Sequence, residues 1–169
     1  MRVVAGRYGG RPLKAPRGRD VRPTADRVRE ALFSILGPLE GLAVLDLFAG
    51  TGALGIEALS RGAASCVFVD IDTRPLEANL HTLGIDAEVR RARALSALKA
   101  DDQYDLVLLD PPYRDAARLG PELTEALPPV LSPSARVVSE SDRRQPLDLG
   151  LPLSDERRYG DTLIRIHTA

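Results

Sequence analysis

Residues 43–55 read Ala43-Val44-Leu45-Asp46-Leu47-Phe48-Ala49-Gly50-Thr51-Gly52-Ala53-Leu54-Gly55. The apolar run 43–48 has the length of a buried strand and stops at glycines. Gly50, Gly52 and Gly55 spell G-x-G-x-x-G, and 53–61 reads as a helix closed by Gly62. A second short apolar run, 65–70, ends on Asp70, 20 residues after Gly50. Strand, glycine turn, helix, strand and acid form the arrangement that seats a nucleoside-like cofactor at the first crossover. Glycine lets a ligand touch the backbone, and the helix N-terminus favours an anion. That anion is either a pyrophosphate or a single carboxylate, and the spacing alone does not choose. Asp46, at the strand end, either holds an ammonium group or caps the loop. Asp70 suits ribose hydroxyls better than Asp72, because Asp70 ends the strand while Asp72 is placed to cap the next helix.

Outward from this unit the same alternation continues. Residues 74–83 read as a helix ended by Gly84, 87–91 as a strand and 94–100 as a short helix. Residues 104–110 read as a strongly apolar strand, 116–127 as a helix and 135–140 as a strand. Two further strand-like pieces flank Gly160-Asp161. Short apolar strands between helices predict an α/β fold, a doubly wound and mostly parallel sheet covered on both faces. Before it, 3–5 and 12–14 read as a small β-hairpin, and 15–23 as a linker. Thr24 is positioned to N-cap a helix that Gly37-Pro38 stops. The expected division is a hairpin-and-helix extension over 1–38 and a main domain over 39–169, with its core complete from about Leu42.

Leu106-Val107-Leu108-Leu109 runs into Asp110-Pro111-Pro112-Tyr113. Strand ends of one polarity share one mouth, so this tetrapeptide faces Gly50 and Asp70. Two prolines fix φ twice and remove two donors, leaving a rigid run of acceptors: the Asp110 carboxylate and the Pro111 carbonyl. Such acceptors suit an amine with two N–H bonds, and Tyr113 is ready to stack on a flat base. Asp110, Pro111, Pro112 and Tyr113 are therefore the candidate catalytic residues.

Charge is unevenly spread over the 169 residues. The first thirty hold nine basic and three acidic residues, +6; the rest hold 14 basic and 21 acidic, −7. Guanidinium groups predominate in this arm and match paired phosphate oxygens. Arg7, Arg11, Arg22, Thr24 and Arg27 are the candidate nucleic-acid contacts, although Arg27 also lies within reach of Glu30 or Glu57. A composition of 44% hydrophobic and 28% charged residues excludes disorder, and no apolar run reaches the ~18 residues of a membrane helix. The lone Cys66 excludes an intrachain disulfide and a cysteine-built zinc site. Only His81 and His167 are present, so a histidine cluster is excluded as well. No metal is expected, and a reducing cytoplasm is the expected location.

Phe48-Ala49-Gly50-Thr51-Gly52 together with Asp110-Pro111-Pro112-Tyr113 resembles the S-adenosylmethionine-dependent amino-methyltransferases. Arg22-Pro23-Thr24-Ala25-Asp26-Arg27-Val28-Arg29-Glu30-Ala31-Leu32-Phe33, Glu57-Ala58-Leu59-Ser60-Arg61-Gly62-Ala63 and Tyr159-Gly160-Asp161-Thr162 narrow the likeness to the RsmD family. The resemblance covers nearly the whole chain. It implies a Rossmann-like class I methyltransferase fold and methylation of guanine N2 in bacterial 16S ribosomal RNA. S-adenosylhomocysteine would be the product. Asp46, Gly50 and Gly52 would line the methionine part, Asp70 would bind ribose and the Ala94 backbone would meet adenine. Phe48, Thr51, Ile71 and Arg93 fall in the same cofactor site. The family often carries a small amide or acid where Arg93 stands. The implied partner is 16S rRNA or an assembling small subunit, with no membrane involved and a monomer expected.

Other readings use fewer of these features. A DNA adenine-N6 methyltransferase would share the tetrapeptide but usually needs a recognition domain. A nicotinamide-dependent oxidoreductase fits the glycine spacing and leaves 110–113 unexplained. A non-catalytic RNA-binding module explains the arm alone.

Overall fold

Val44 and Leu45 are neighbours in sequence and both are buried, yet they belong to different cores. A computed structural model, which describes residues 1–15 and 23–169, shows why. Strand β1 (Ala43–Asp46) lies inside a sheet covered on both faces, so its alternating side chains serve two layers. β4 (Tyr104–Leu109) divides the same way: Leu106 and Leu108 face one core, Val107 and Leu109 the other.

The remaining elements are α1 (Pro23–Leu36), α2 (Ala53–Ser60), β2 (Ser65–Asp70), α3 (Arg74–Leu83), β3 (Glu88–Arg91), α4 (Ala116–Ala126), β5 (Leu131–Asp142), β6 (Leu153–Tyr159) and β7 (Thr162–Thr168). The strand order is β3-β2-β1-β4-β5-β7-β6. Strands β1 to β5 pair in parallel, and β7 runs antiparallel to both β5 and β6. This is the expected doubly wound, mostly parallel sheet. Leu32 and Phe33 of α1, Ile56 of α2, and Leu76 and Leu80 of α3 cover one face. Leu119 and Leu123 of α4 cover the other.

Three local expectations are corrected. The N-terminal hairpin has a single bridge, Arg2 to Pro12, instead of two paired strands. Its next donors are diverted: the Val4 and Ala5 amides reach the Glu57 carboxylate of α2 at 2.7 and 3.0 Å. Helix α1 opens on Pro23, whose fixed φ and missing donor suit a first position, so Thr24 lies inside the first turn instead of capping it. The helix expected over 94–100 is one 3₁₀ turn, Leu95–Ala97, because Leu98 is already extended at ψ 124°.

The main core is also not complete from Leu42. Val3 and Leu13 are buried with α1, α2 and α3. Asn79 of α3 is buried; its Oδ1 accepts the Lys14 amide at 2.8 Å and its Nδ2 donates to the Lys14 carbonyl at 3.1 Å. The extension is built into the sheet's own hydrophobic layer.

Candidate active site

Asp46 ends β1 in register with Phe68 of β2 and Leu108 of β4. Asp70 and Asp110 each stand two residues beyond those partners, so three adjacent strands bring three carboxylates to one edge.

Asp46 is 1% exposed. Its Oδ2 accepts the Gly55 amide at 2.9 Å, satisfying a donor in the first turn of α2. Its Oδ1 is buried without a hydrogen-bond partner among the described residues. Burial pushes this carboxyl up to about 7; the Gly55 bond opposes the shift and the Asp70 charge adds to it. Of the two possibilities read from the sequence, the loop cap is made by Oδ2, and Oδ1 is not used for it.

The three glycines have separate tasks. At Gly50, φ is +55° and a Cβ would meet nothing within 4 Å, so the backbone stays open to a ligand. Gly52 turns the chain at φ +83°, and at Gly55 a Cβ would stand 2.3 Å from the Phe68 ring.

Asp70 ties this loop down. Its Oδ2 accepts the Gly50 amide at 2.8 Å and its Oδ1 the Asp72 amide at 3.0 Å. Asp72 is instead engaged by Arg74, whose Nε and Nη2 donate at 2.7 and 2.8 Å and whose backbone amide donates at 3.3 Å. That guanidinium holds the Asp72 carboxyl down to about 2. Thr51 is half-buried, and its carbonyl accepts Asn79 Nδ2 at 2.9 Å. Phe48 packs half-buried on the α4 side, and Ile71 is 69% exposed beside Asp70. Arg91 of β3 is in register with Asp70, and the Ala92 amide donates to the Asp70 carbonyl at 3.1 Å. Exposed Arg93 and half-buried Ala94 therefore follow at the same edge.

The tetrapeptide leaves β4 with Pro111 buried and Asp110, Pro112 and Tyr113 exposed. The Pro112 carbonyl accepts the Asp115 amide at 2.9 Å, starting the 3₁₀ turn Tyr113–Asp115.

In the arm, Arg7, Arg11 and Arg27 are exposed; Arg22 and the side chain of Thr24 lie outside the described residues. The Arg7 guanidinium stands 5.4 Å from the Tyr8 ring centroid, and Arg11 Nη2 donates to the Thr82 carbonyl at 3.5 Å. The partners of Glu57 are Arg61 at 2.7 Å and Arg29 at 3.6 Å, not Arg27. Buried Arg29 also pairs with Asp26 at 2.8 Å and donates to the Arg2 carbonyl. One cation counted with the basic arm is thus consumed by the fold. The i, i+4 spacing of Glu57 and Arg61 and the i, i+3 spacing of Asp26 and Arg29 are the local signals of this cluster.

A family model described as Conserved hypothetical protein 95 matches residues 1–168. The chain belongs to the RsmD family. Ribosomal RNA small subunit methyltransferase D of Escherichia coli strain K12 is 42% identical over 120 residues, 68% of this chain and 61% of its own length. The enzyme of the same description from Haemophilus influenzae is 41% identical over 123 residues, 67% of this chain and 64% of its own length. The matched region thus spans less than two thirds of those curated relatives. Solved structures agree over more of the chain. Among them, yhhF from Escherichia coli superposes with a TM-score of 0.85 at 34% identity, covering 99% of this chain and 97% of that one. A hypothetical protein from Thermus thermophilus gives 0.83 at 29% identity, covering 100% and 99%. The RsmD-family chain has the class I methyltransferase fold, and it is a methyltransferase.

Proposed function

We propose that the chain transfers a methyl group from S-adenosylmethionine to the exocyclic N2 amine of a guanine in 16S rRNA of the small ribosomal subunit. The observation that carries this reading is the Asp110–Tyr113 tetrapeptide on the same strand edge as the orphaned Oδ1 of Asp46. A buried carboxylate oxygen without a donor is matched by an ammonium group, and the open backbone at Gly50 admits a ligand chain. The cofactor's methionine part would lie along Asp46, Phe48, Gly50, Thr51 and Gly52. Each Asp70 oxygen accepts one amide and keeps a lone pair for a ribose hydroxyl. Ile71 gives adenine an apolar surface, beside Arg93 and the Ala94 backbone.

When bound, the cofactor supplies a methyl group activated on a sulfonium. The protein supplies position and charge. Guanine N2 is a poor nucleophile because its lone pair is delocalised into the ring. Acceptors at the Asp110 carboxylate and Pro111 carbonyl engage its two N–H bonds and favour the pyramidal amine. Asp110 also stabilises the positive charge that grows on nitrogen; N2 then sheds one proton to solvent past exposed Asp110, leaving the methylated amine and S-adenosylhomocysteine. Tyr113 stacks on the splayed base. Neither histidine is used: His81 sits in the last turn of α3 and His167 on β7.

Functionally, 1–38 is the RNA-contacting extension and 39–169 the methyltransferase domain, although the two share a core. A monomer working in the cytoplasm on rRNA or an assembling subunit fits this reading. Among the described residues no helix is long and apolar enough to cross a membrane. The test is transfer of a labelled methyl group from S-adenosylmethionine to small-subunit rRNA, beside a thermal melt with S-adenosylmethionine and with NAD. Labelled rRNA and a shift with S-adenosylmethionine alone are expected. A shift with NAD and no label in RNA would overturn the reading.

A further inference from the structure

Residues 143–148, between β5 and β6, lie against α4, far in sequence from every site residue named above. Gly120 permits this approach, since a Cβ there would stand 2.4 Å from the Asp148 carbonyl oxygen. The Gly150 amide donates to Thr124 Oγ1 at 2.9 Å, and Leu147 is fully buried. The connection is therefore a fixed wall, and it faces Tyr113 and Arg114 across a cavity of about 660 Å³ lined also by Arg144 and Gln145. A second cavity of about 340 Å³ shares Arg144 and Pro146 and continues to Arg143, Arg158 and Arg165. Both volumes are in the range that holds a small ligand or nucleotide.

The trough gathers guanidinium groups on a body that is otherwise acidic. Arg114, Arg158 and Arg144 have open side chains, 88%, 73% and 71% exposed, and of these Arg114 and Arg144 line the larger cavity beside Tyr113. Four carboxylates accompany these five guanidinium groups; Asp161 and Glu156 are each shared by two, and Asp148 itself lines the larger cavity. Asp161 serves Arg143 at 3.1 Å and Arg144 at 3.7 Å, and Asp115 is 3.9 Å from Arg114. Arg165 is held by Asp148 and Glu156, and Glu156 also holds Arg158. The pairs of Arg114 and Arg144 are exposed and long, 3.9 and 3.7 Å, and contribute little, so a phosphate offering two oxygens can displace them.

The trough begins at Tyr113, where the target base would stack, and lies on the α4 side of the sheet. The basic arm packs on the opposite side, with α1, α2 and α3. We propose that the trough is a subsite for single-stranded RNA flanking the target base, with Arg114 and Arg144 on its phosphates and the Gln145 amide against a base edge. This rests on the RNA-methylating function above and gives the substrate a grip on both sides of the reacting base.

The test is the double variant Arg114→Ala/Arg144→Ala in the full chain, with Arg118→Ala on exposed α4 surface as control. Binding of a fluorescent 12-nucleotide oligouridylate is titrated across salt, and methyl transfer to small-subunit rRNA is followed in parallel. The double variant should bind the oligonucleotide about tenfold or more weakly, as expected for lost charge-assisted bonds. Its salt slope should flatten by about 0.7 per lost phosphate contact. The KM for rRNA should rise while S-adenosylmethionine affinity, kcat at saturating rRNA and melting temperature hold. Unchanged oligonucleotide affinity and slope would overturn the subsite. Absence of methyl transfer by the unaltered protein would instead overturn the functional reading, and the oligonucleotide titration would still decide the trough.

Discussion

Asp46 and Gly55 are joined at 2.9 Å through Oδ2 of the carboxylate, while Oδ1 of the same group is buried without a partner among the described residues. One oxygen fastens the start of α2 to the end of β1. The other belongs to a carboxyl that burial pushes up to about 7, and in the proposed function it meets the ammonium group of the cofactor.

A cationic ligand favours the ionised form of Asp46, so below about pH 7 the free protein must release a proton to bind it. S-adenosylmethionine affinity should fall about tenfold per pH unit below that point, and Asp46→Asn should flatten the profile. Stability of the free protein has the opposite slope. A carboxyl whose folded pKa exceeds its unfolded value of 3.8 binds protons more tightly when folded, so its contribution rises as pH falls from about 7 towards 4. Calorimetric titration and melting across pH check both signs; a pH-independent affinity would remove Asp46 from the cofactor site.

Asp70→Ala should weaken S-adenosylmethionine binding by about 1.5–3 kcal/mol, the range for hydrogen bonds to a charged group. Asp72→Ala should do much less, because Asp72 is already occupied by Arg74. Calorimetry giving the reverse order would move the ribose contact to Asp72.

Glu57→Ala should cost about 3–5 kcal/mol of stability, since it leaves the Val4 and Ala5 amides without their acceptor and breaks the 2.7 Å pair with Arg61, while buried Arg29 keeps only Asp26 as its carboxylate. For the same reason, deletion of the hairpin should destabilise the fold instead of leaving an intact core. Chemical denaturation measures both. A neutral Glu57 variant would show that the hairpin is held by its apolar contacts alone.

Arg7, Arg11 and Arg27 are exposed and should act on RNA without holding the fold. Each alanine variant should melt like the unaltered protein and flatten the salt dependence of single-stranded RNA binding by about 0.7 per lost phosphate contact. An unchanged slope with a lowered melting temperature would make that arginine structural.

The layers and the mouth of the site were legible in the sequence because they follow from local pattern. Gly50, Gly52 and Gly55 mark the crossover, and an apolar strand delivers Asp110 whatever happens elsewhere. Glu57 was not legible: a glutamate on a helix reads as solvent-facing, and only a hairpin more than fifty residues earlier makes it a buried acceptor. Asn79 was hidden by the same long-range pairing, with Lys14 on one side and Thr51 on the other. Arg29 counted as arm charge because sequence spacing cannot show that a guanidinium turns inward. The trough beside Tyr113 depends on the close approach of Asp148 to Gly120, a contact that no periodicity announces.

The proposed grip of Asp110 and Pro111 on the N2 amine of guanine is tested by single-turnover methylation of small-subunit rRNA, followed by digestion to nucleosides, for the unaltered protein and for Asp110→Ala. The unaltered protein should give N2-methylguanosine. Asp110→Ala should react at least about 10²-fold more slowly, the scale of one preorganised charge-stabilising group, with S-adenosylmethionine affinity nearly intact. Methyl groups on adenine N6, or an Asp110→Ala rate near that of the unaltered protein, would contradict it.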